Sequence, residues 1–148
     1  MVIWGVFCIF GNQLNTMSKK KYKTTKESVV GRLLGQCTTA SRRPKKVKKG
    51  INQCEVTFEL LYQMAETQNW KCVETGVPLL LLEKRMTIAE TNELGLNRFF
   101  LPSVDRLDNT KGYTMDNIQI VCMGYNNSKN RYDEKYVREW ISSIKSNN

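Results

Sequence analysis

The 148-residue chain is predicted to be an α+β protein with additional packing helices and a basic N-terminal arm. Three observations predict this. In the C-terminal half, "FFLPSVDRL" and "NIQIVC" alternate apolar and polar residues with period two, and the turn-rich "DNTKGYTMD" lies between them. On both sides of that pair, apolar residues fall at helical spacing. The charge is also lopsided: residues 1–50 hold twelve Lys/Arg against Glu27, whereas residues 51–148 hold eleven Lys/Arg and thirteen acids. The division expected from this is a basic extension over 1–50 and a folded domain over 51–148.

The chain opens with "MVIWGVFCIF", an apolar run too short for a bilayer, which needs roughly 20 residues, and without the basic start of a signal peptide. Met17 begins "MSKKKYKTTKES", a plausible first line for a basic cytosolic protein, so residues 1–16 read as a dispensable extension. A short hydrophobic strand or a membrane-surface segment is the alternative. From Lys26 to Ala40, Val29, Val30, Leu33, Leu34 and Cys37 mark a helix. "SRRPKKVKKG" follows as a linker or flexible loop, broken by Pro44 and Gly50. Its Arg42, Arg43, Lys45, Lys46, Lys48 and Lys49 are the densest set of phosphate contacts the chain offers. Composition alone leaves a polyanion-binding arm and a solubilising tail equally open.

Thr57 caps an amphipathic helix, "FELLYQMAETQNW", whose Phe58, Leu61, Met64 and Ala65 face one way. A Gly-x-Pro turn breaks it, and "LLLLEKRMTIAETNELGLN" is read as strand plus loop. The two period-two strands come next. "MGYNNSKN" is a short helix, and Asp133 caps "EKYVREWISSIKS", where Tyr136, Val137, Trp140, Ile141 and Ile144 form one apolar stripe.

No histidine is present, so the commonest metal ligand and general base is missing. Five cysteines, odd in number and with no C-x-x-C pair, give no support for a zinc knuckle or a disulfide framework; reduced thiols in a cytosolic setting are expected.

The C-terminal half sets out its polar residues in a definite order. Asp105-Arg106 lie on the first strand and Gly112-Tyr113 in the loop. Asn117 opens the second strand, and "NNSK", Asn126 to Lys129, lies on the helix. That order resembles the HNH endonuclease motif, or ββα-metal fold, in the form common among phage-encoded nucleases. "QNWKCVETGVPL" resembles a segment that often precedes it, and the likeness covers roughly Phe58 to Ile144. Two departures stand out. Where many relatives bind structural zinc through two C-x-x-C pairs, this chain has Cys72-x-x-Thr75 and Cys122-x-x-Tyr125, so packing by Tyr125 and the last helix would replace the metal. Arg106 stands in place of the usual base histidine, as in some similar nucleases, restriction enzymes among them, that carry Asp-Arg followed by Gly-Tyr.

The resemblance implies Asp105 and Asn126 as ligands of Mg²⁺ or Mn²⁺, with no structural zinc. One carboxylate and one amide oxygen suffice for a cation that prefers oxygen and keeps several waters. The metal would stabilise the leaving 3′ oxygen. Arg106 cannot act as a base, since its pKa exceeds about 12, and is cast as a phosphate clamp or as the cation that lowers a neighbour's pKa. Tyr113 is the favoured activator of water and Asp108 its rival, unless Asp108 pairs with Arg106. Asn117 fits a residue that fixes the loop better than a ligand. Lys129 meets phosphate or lies on a solvated helix face.

The expected activity is metal-dependent hydrolysis of DNA phosphodiesters by a cytoplasmic, non-membrane protein. Two readings compete with it: an inactive HNH-derived nucleic-acid-binding module, and a basic RNA-associated protein without metal dependence. A homodimer that would allow a double-strand cut leaves no trace in the sequence, and neither do the target or the biological role.

Overall fold

Thr24 and Glu27 open the first helix by reciprocal hydrogen bonds, the Thr24 hydroxyl accepting from the Glu27 amide and the Glu27 carboxylate from the Thr24 amide. They also mark where description begins: the structure, a computed structural model, describes residues 24–146. The readings of residues 1–16 and of the lysines up to Lys23 lie outside the described residues. Helix α1 (Thr25–Ser41) buries Val29, Val30, Leu33, Cys37 and Ala40. These belong to the same core as Leu61, Ile120 and Val121. Residue 50 is therefore not a boundary of the core, because an apolar stripe this wide has to pack on something and α1 packs on residues beyond it.

The basic stretch expected as a loop contains a one-turn helix, α2 (Pro44–Lys48). Proline at the first helical position suits its preset φ and gives up an amide that would be unpaired anyway. Gly50, at φ 68°, follows it in the left-handed region. Helix α3 (Phe58–Thr67) starts where expected, with the Thr57 hydroxyl accepting from the Leu60 amide. It stops three residues short of Trp70, because Asn69 and Trp70 take left-handed backbone angles of 51° and 55°.

The strand expected after Leu79 is replaced by an irregular segment. Helix α4 (Ile88–Glu93) follows, set by a second capping box between Thr87 and Glu90. A 3₁₀ turn, Arg98–Phe100, then leads into β1 (Pro102–Arg106). This strand pairs antiparallel with β2 (Ile118–Cys122), from Pro102 opposite Cys122 to Arg106 opposite Ile118. Helices α5 (Met123–Arg131) and α6 (Glu134–Ser146) complete an α+β architecture with a two-stranded sheet.

Two glycines are fixed by close approach. A Cβ on Gly112 would lie 2.6 Å from the Gln53 carbonyl oxygen, where the loop pairs with the 53–55 backbone. One on Gly124 would enter the Phe99 ring, which packs on the start of α5. The α6 stripe is split: Val137 and Ile141 are buried, while Tyr136 and Trp140 stay exposed. Cys72 and Cys122 are buried free thiols, and Tyr125 packs beside them in the core. Among the described residues no helix is long and apolar enough to cross a membrane.

Candidate active site

The loop between the strands is built around Asn117, which is buried. Its side-chain oxygen accepts from the Asp108 amide at 2.8 Å, and its nitrogen donates to the Asp108 and Gly112 carbonyls at 3.0 and 2.9 Å. Every polar atom of the amide is used on backbone, so Asn117 fixes the loop. Asp108 is also a turn residue. Its Oδ1 accepts from the Thr110 hydroxyl and amide, which hold the carboxyl below the usual carboxylate range and weaken it as a base. It forms no ion pair with Arg106. The Arg106 guanidinium donates instead to the Asn109 and Lys111 carbonyls and to Asn109 Oδ1, closing the loop upon itself.

Strand alternation alone would send Asp105 and Arg106 to opposite faces. Because β1 ends at Arg106, both residues line one groove. It has a volume of about 830 Å³ and lies between α1, the 80–86 segment and the start of the β1–β2–α5 unit. Asn126 and Tyr113 line it as well.

Asp105 is 4% exposed. Its Oδ2 accepts from Lys129 Nζ at 2.9 Å and from Gln119 Nε2 at 3.1 Å, while Oδ1 has no hydrogen-bond partner among the described residues. Asn126 donates through Nδ2 to Ser103 Oγ at 2.8 Å and to the Val104 carbonyl at 3.4 Å, and its Oδ1 accepts one bond, from Asn130 at 3.0 Å. One carboxylate oxygen and one amide oxygen thus keep lone pairs to offer, a donor set that suits a hard divalent cation retaining waters. No group of three or more Cys, Asp or Glu side chains is arranged to hold a metal among the described residues.

Lys129, expected to meet phosphate or to lie on a solvated helix face, is buried and not on a solvated face. Its ammonium lies inside, bonded to Asp105, to the Arg106 carbonyl at 2.7 Å and facing Glu134 at 3.5 Å. A buried ammonium needs such partners, and here they orient the Asp105 carboxylate. With Glu134 counted, the trio carries one net negative charge.

Tyr113 is held by its backbone, which pairs with Gln53 and Glu55, and its ring lies beneath two cations. Lys46 Nζ is 4.3 Å from the ring centroid and the Arg106 guanidinium 5.4 Å. Burial pushes the Tyr113 phenol above its ordinary value, assisted by Cys37 and outweighing the opposing pull of Arg106 and Arg43. A base that must deprotonate near neutral pH needs the opposite shift.

Seven of the groove's lining residues are Arg or Lys, and Asp105 is its single acid. Of the expected basic set, Arg43 and Lys46 line it; Arg42, Lys45, Lys48 and Lys49 are exposed on the outer surface of the α2 turn. The remaining cations are Arg32, Lys84, Arg85 and Arg98, which sequence reading did not single out. Arg32 donates to the Leu82 and Glu83 carbonyls and Arg98 to the Met86 carbonyl, so these two also tie down the 82–86 segment. Lys84-Arg85, a basic pair separated from an apolar run only by Glu83, was the readable signal. No protein-family model, curated protein or solved structure matches the chain.

Proposed function

We propose that this chain is a metal-dependent endonuclease of the ββα-metal type that hydrolyses DNA phosphodiester bonds. One observation carries the reading: Asp105 and Asn126 share a groove in which Asp105 is the single acid and the other charged lining is cationic. A polyanion drawn in by those cations meets the oxygen donors at the same place. The β1–β2–α5 order and the Asn117-pinned loop support the same reading.

The chain's own residues divide the work. Lys129 and Gln119 orient Asp105, and Ser103 orients Asn126. Arg43, Lys84 and Arg85 hold phosphate. Arg106 braces the loop and adds positive charge beside the reacting phosphate. A divalent cation bound by Asp105 and Asn126 would stabilise charge on the leaving 3′ oxygen.

The test is cleavage of supercoiled plasmid with Mg²⁺ or Mn²⁺ by wild type, Asp105→Ala and Asn126→Ala. Wild type is expected to nick the plasmid. Both variants should lose about 10²–10³-fold in rate, the cost of removing one group that stabilises transition-state charge. Melting curves show that each variant is folded. A second reading, a binding module without chemistry, draws on the Lys129–Asp105 ion pair, which already satisfies half of the carboxylate. It is correct if wild type binds DNA and cuts none. Preference for RNA without metal dependence would favour an RNA-associated protein instead. A homodimer that cuts both strands would appear as linear product at the concentrations where the protein self-associates.

A further inference from the structure

We propose that Lys46 is the catalytic base that takes the proton from the attacking water, a role no histidine in this chain can fill. The inference rests on the endonuclease reading and adds to it the group that reading lacks. Within residues 42–50, Lys46 is the one residue that is half-buried: the α2 turn directs its side chain inward while Arg42, Arg43, Lys45, Lys48 and Lys49 are exposed. It lines the same groove as Asp105, Asn126 and Arg106.

Burial and the neighbouring cations favour the neutral form of the amine, while the Tyr113 ring face 4.3 Å away favours the charged one. Its largest electrostatic neighbours are cations and thiols, and the nearest acid of the groove is Asp105. The titratable and charged groups that face it are Arg43 from the cap of its own helix, Cys37 of α1, Cys54 of the 51–57 segment, Arg106 at the end of β1, and the Tyr113 ring. Desolvation, then Arg106 and Arg43, lower the Lys46 ammonium to about 8 against the opposing pull of Cys37 and Cys54, and burial pushes the Cys37 thiol itself up to about 12. A lysine beside other cations and partly withdrawn from water is a recognised way to obtain an amine base. Its two rivals are worse placed: the Tyr113 phenol is shifted away from neutrality, and Asp108 lies outside the groove with Oδ1 bound to Thr110.

The step balances with water as the sole co-reactant. Neutral Lys46 removes one proton from water as the water oxygen bonds to phosphorus. The bond from phosphorus to the 3′ oxygen breaks, that oxygen takes a proton from solvent, and the Lys46 ammonium returns its own to solvent.

Lys46→Arg is the decisive variant because it keeps the positive charge and loses the base. It should bind DNA within about threefold of wild type and cut about 10²–10⁴-fold more slowly. The wild-type rate should rise with pH to a plateau above the amine's midpoint of about 8. Lys46→Ala should recover rate when a small primary amine is added. A readout independent of cleavage is the ¹³Cε titration of Lys46 in the metal-free protein, assigned with Lys46→Arg and expected to have its midpoint near 8. The proposal is overturned if Lys46→Arg cuts within about threefold of wild type, or if Lys46 titrates with ordinary lysines near about 10.4. Either result leaves the endonuclease reading standing. A wild type that cuts no nucleic acid under any metal ends both.

Discussion

Asp105 and Arg106 are neighbours on β1, yet the charges around them are settled by different means. On the Asp105 side each charge has an opposite within 4 Å: Lys129 bridges Asp105 at 2.9 Å and Glu134 at 3.5 Å, and the Asp105 and Lys129 side chains are 5% and 2% exposed. On the Arg106 side, Arg106, Arg43 and Lys46 gather around a phenol ring and backbone carbonyls, and none of the three is ion-paired to a carboxylate among the described residues. The first arrangement loses hydration and recovers it by pairing, so it fixes geometry. The second leaves like charges close together and half in water, a strain that an incoming phosphate would relieve. Under the proposed reading, pairing holds the Asp105 carboxylate in place, and the gathered cations are left for a phosphate.

The largest effect expected from breaking this contrast lies on the paired side. Lys129→Met should cost about 3–5 kcal/mol of unfolding free energy, since it strands a buried carboxylate. Urea denaturation measures it. Adding Asp105→Asn should restore part of the loss, because the stranded charge goes too. A Lys129→Met protein within about 1 kcal/mol of wild type would mean that Asp105 finds water in its place, and the contrast would fail.

Next in size is the loop that joins the two sides. Asn117→Ala leaves the Asp108 amide and the Asp108 and Gly112 carbonyls without their partner, and should cost about 2 kcal/mol, in the range for buried groups left unsatisfied. Hydrogen exchange of the amides from Leu107 to Tyr113 should quicken, while that of α1 stays slow. Uniform acceleration instead would make Asn117 a general core residue rather than a brace for this loop.

What could be read in advance follows the same division. The hairpin, α3 and α6 were legible because period-two and helical spacing, with Thr57 and Asp133 as caps, act over a few residues. Asn117 was legible as a loop brace for the same local reason. Leu79 to Leu82 misled because four consecutive leucines carry no period; Leu79 is buried and the others are partly covered along an irregular segment. Thr87-x-x-Glu90 was a capping box that could have been recognised. Lys129 was not legible, since its burial depends on Asp105, 24 residues earlier in the chain. Lys46 could not be told from its neighbours either, because one turn of helix has no period to show which lysine faces inward.

The smallest effect isolates the unpaired side without any substrate. Lys46 has a folded-state pKa of about 8, below its ordinary 10.5, so the fold disfavours its charged form. Below pH 8 both the folded and unfolded chains carry the proton, and the penalty is fully present. Between pH 8 and 10.5 the unfolded chain keeps the proton that the folded chain has shed, so stability gained from this group rises with pH. Lys46→Met removes the charge and should raise Tm at pH 7, by about 1–2 °C because the side chain is only half-buried and its charge is partly screened. The advantage should shrink as pH climbs from 8 towards 10.5. A variant that melts below wild type at pH 7, or with an advantage that does not change across that window, would show that Lys46 is held comfortably in its charged state and that the cationic side of the groove stores no strain for a phosphate to release.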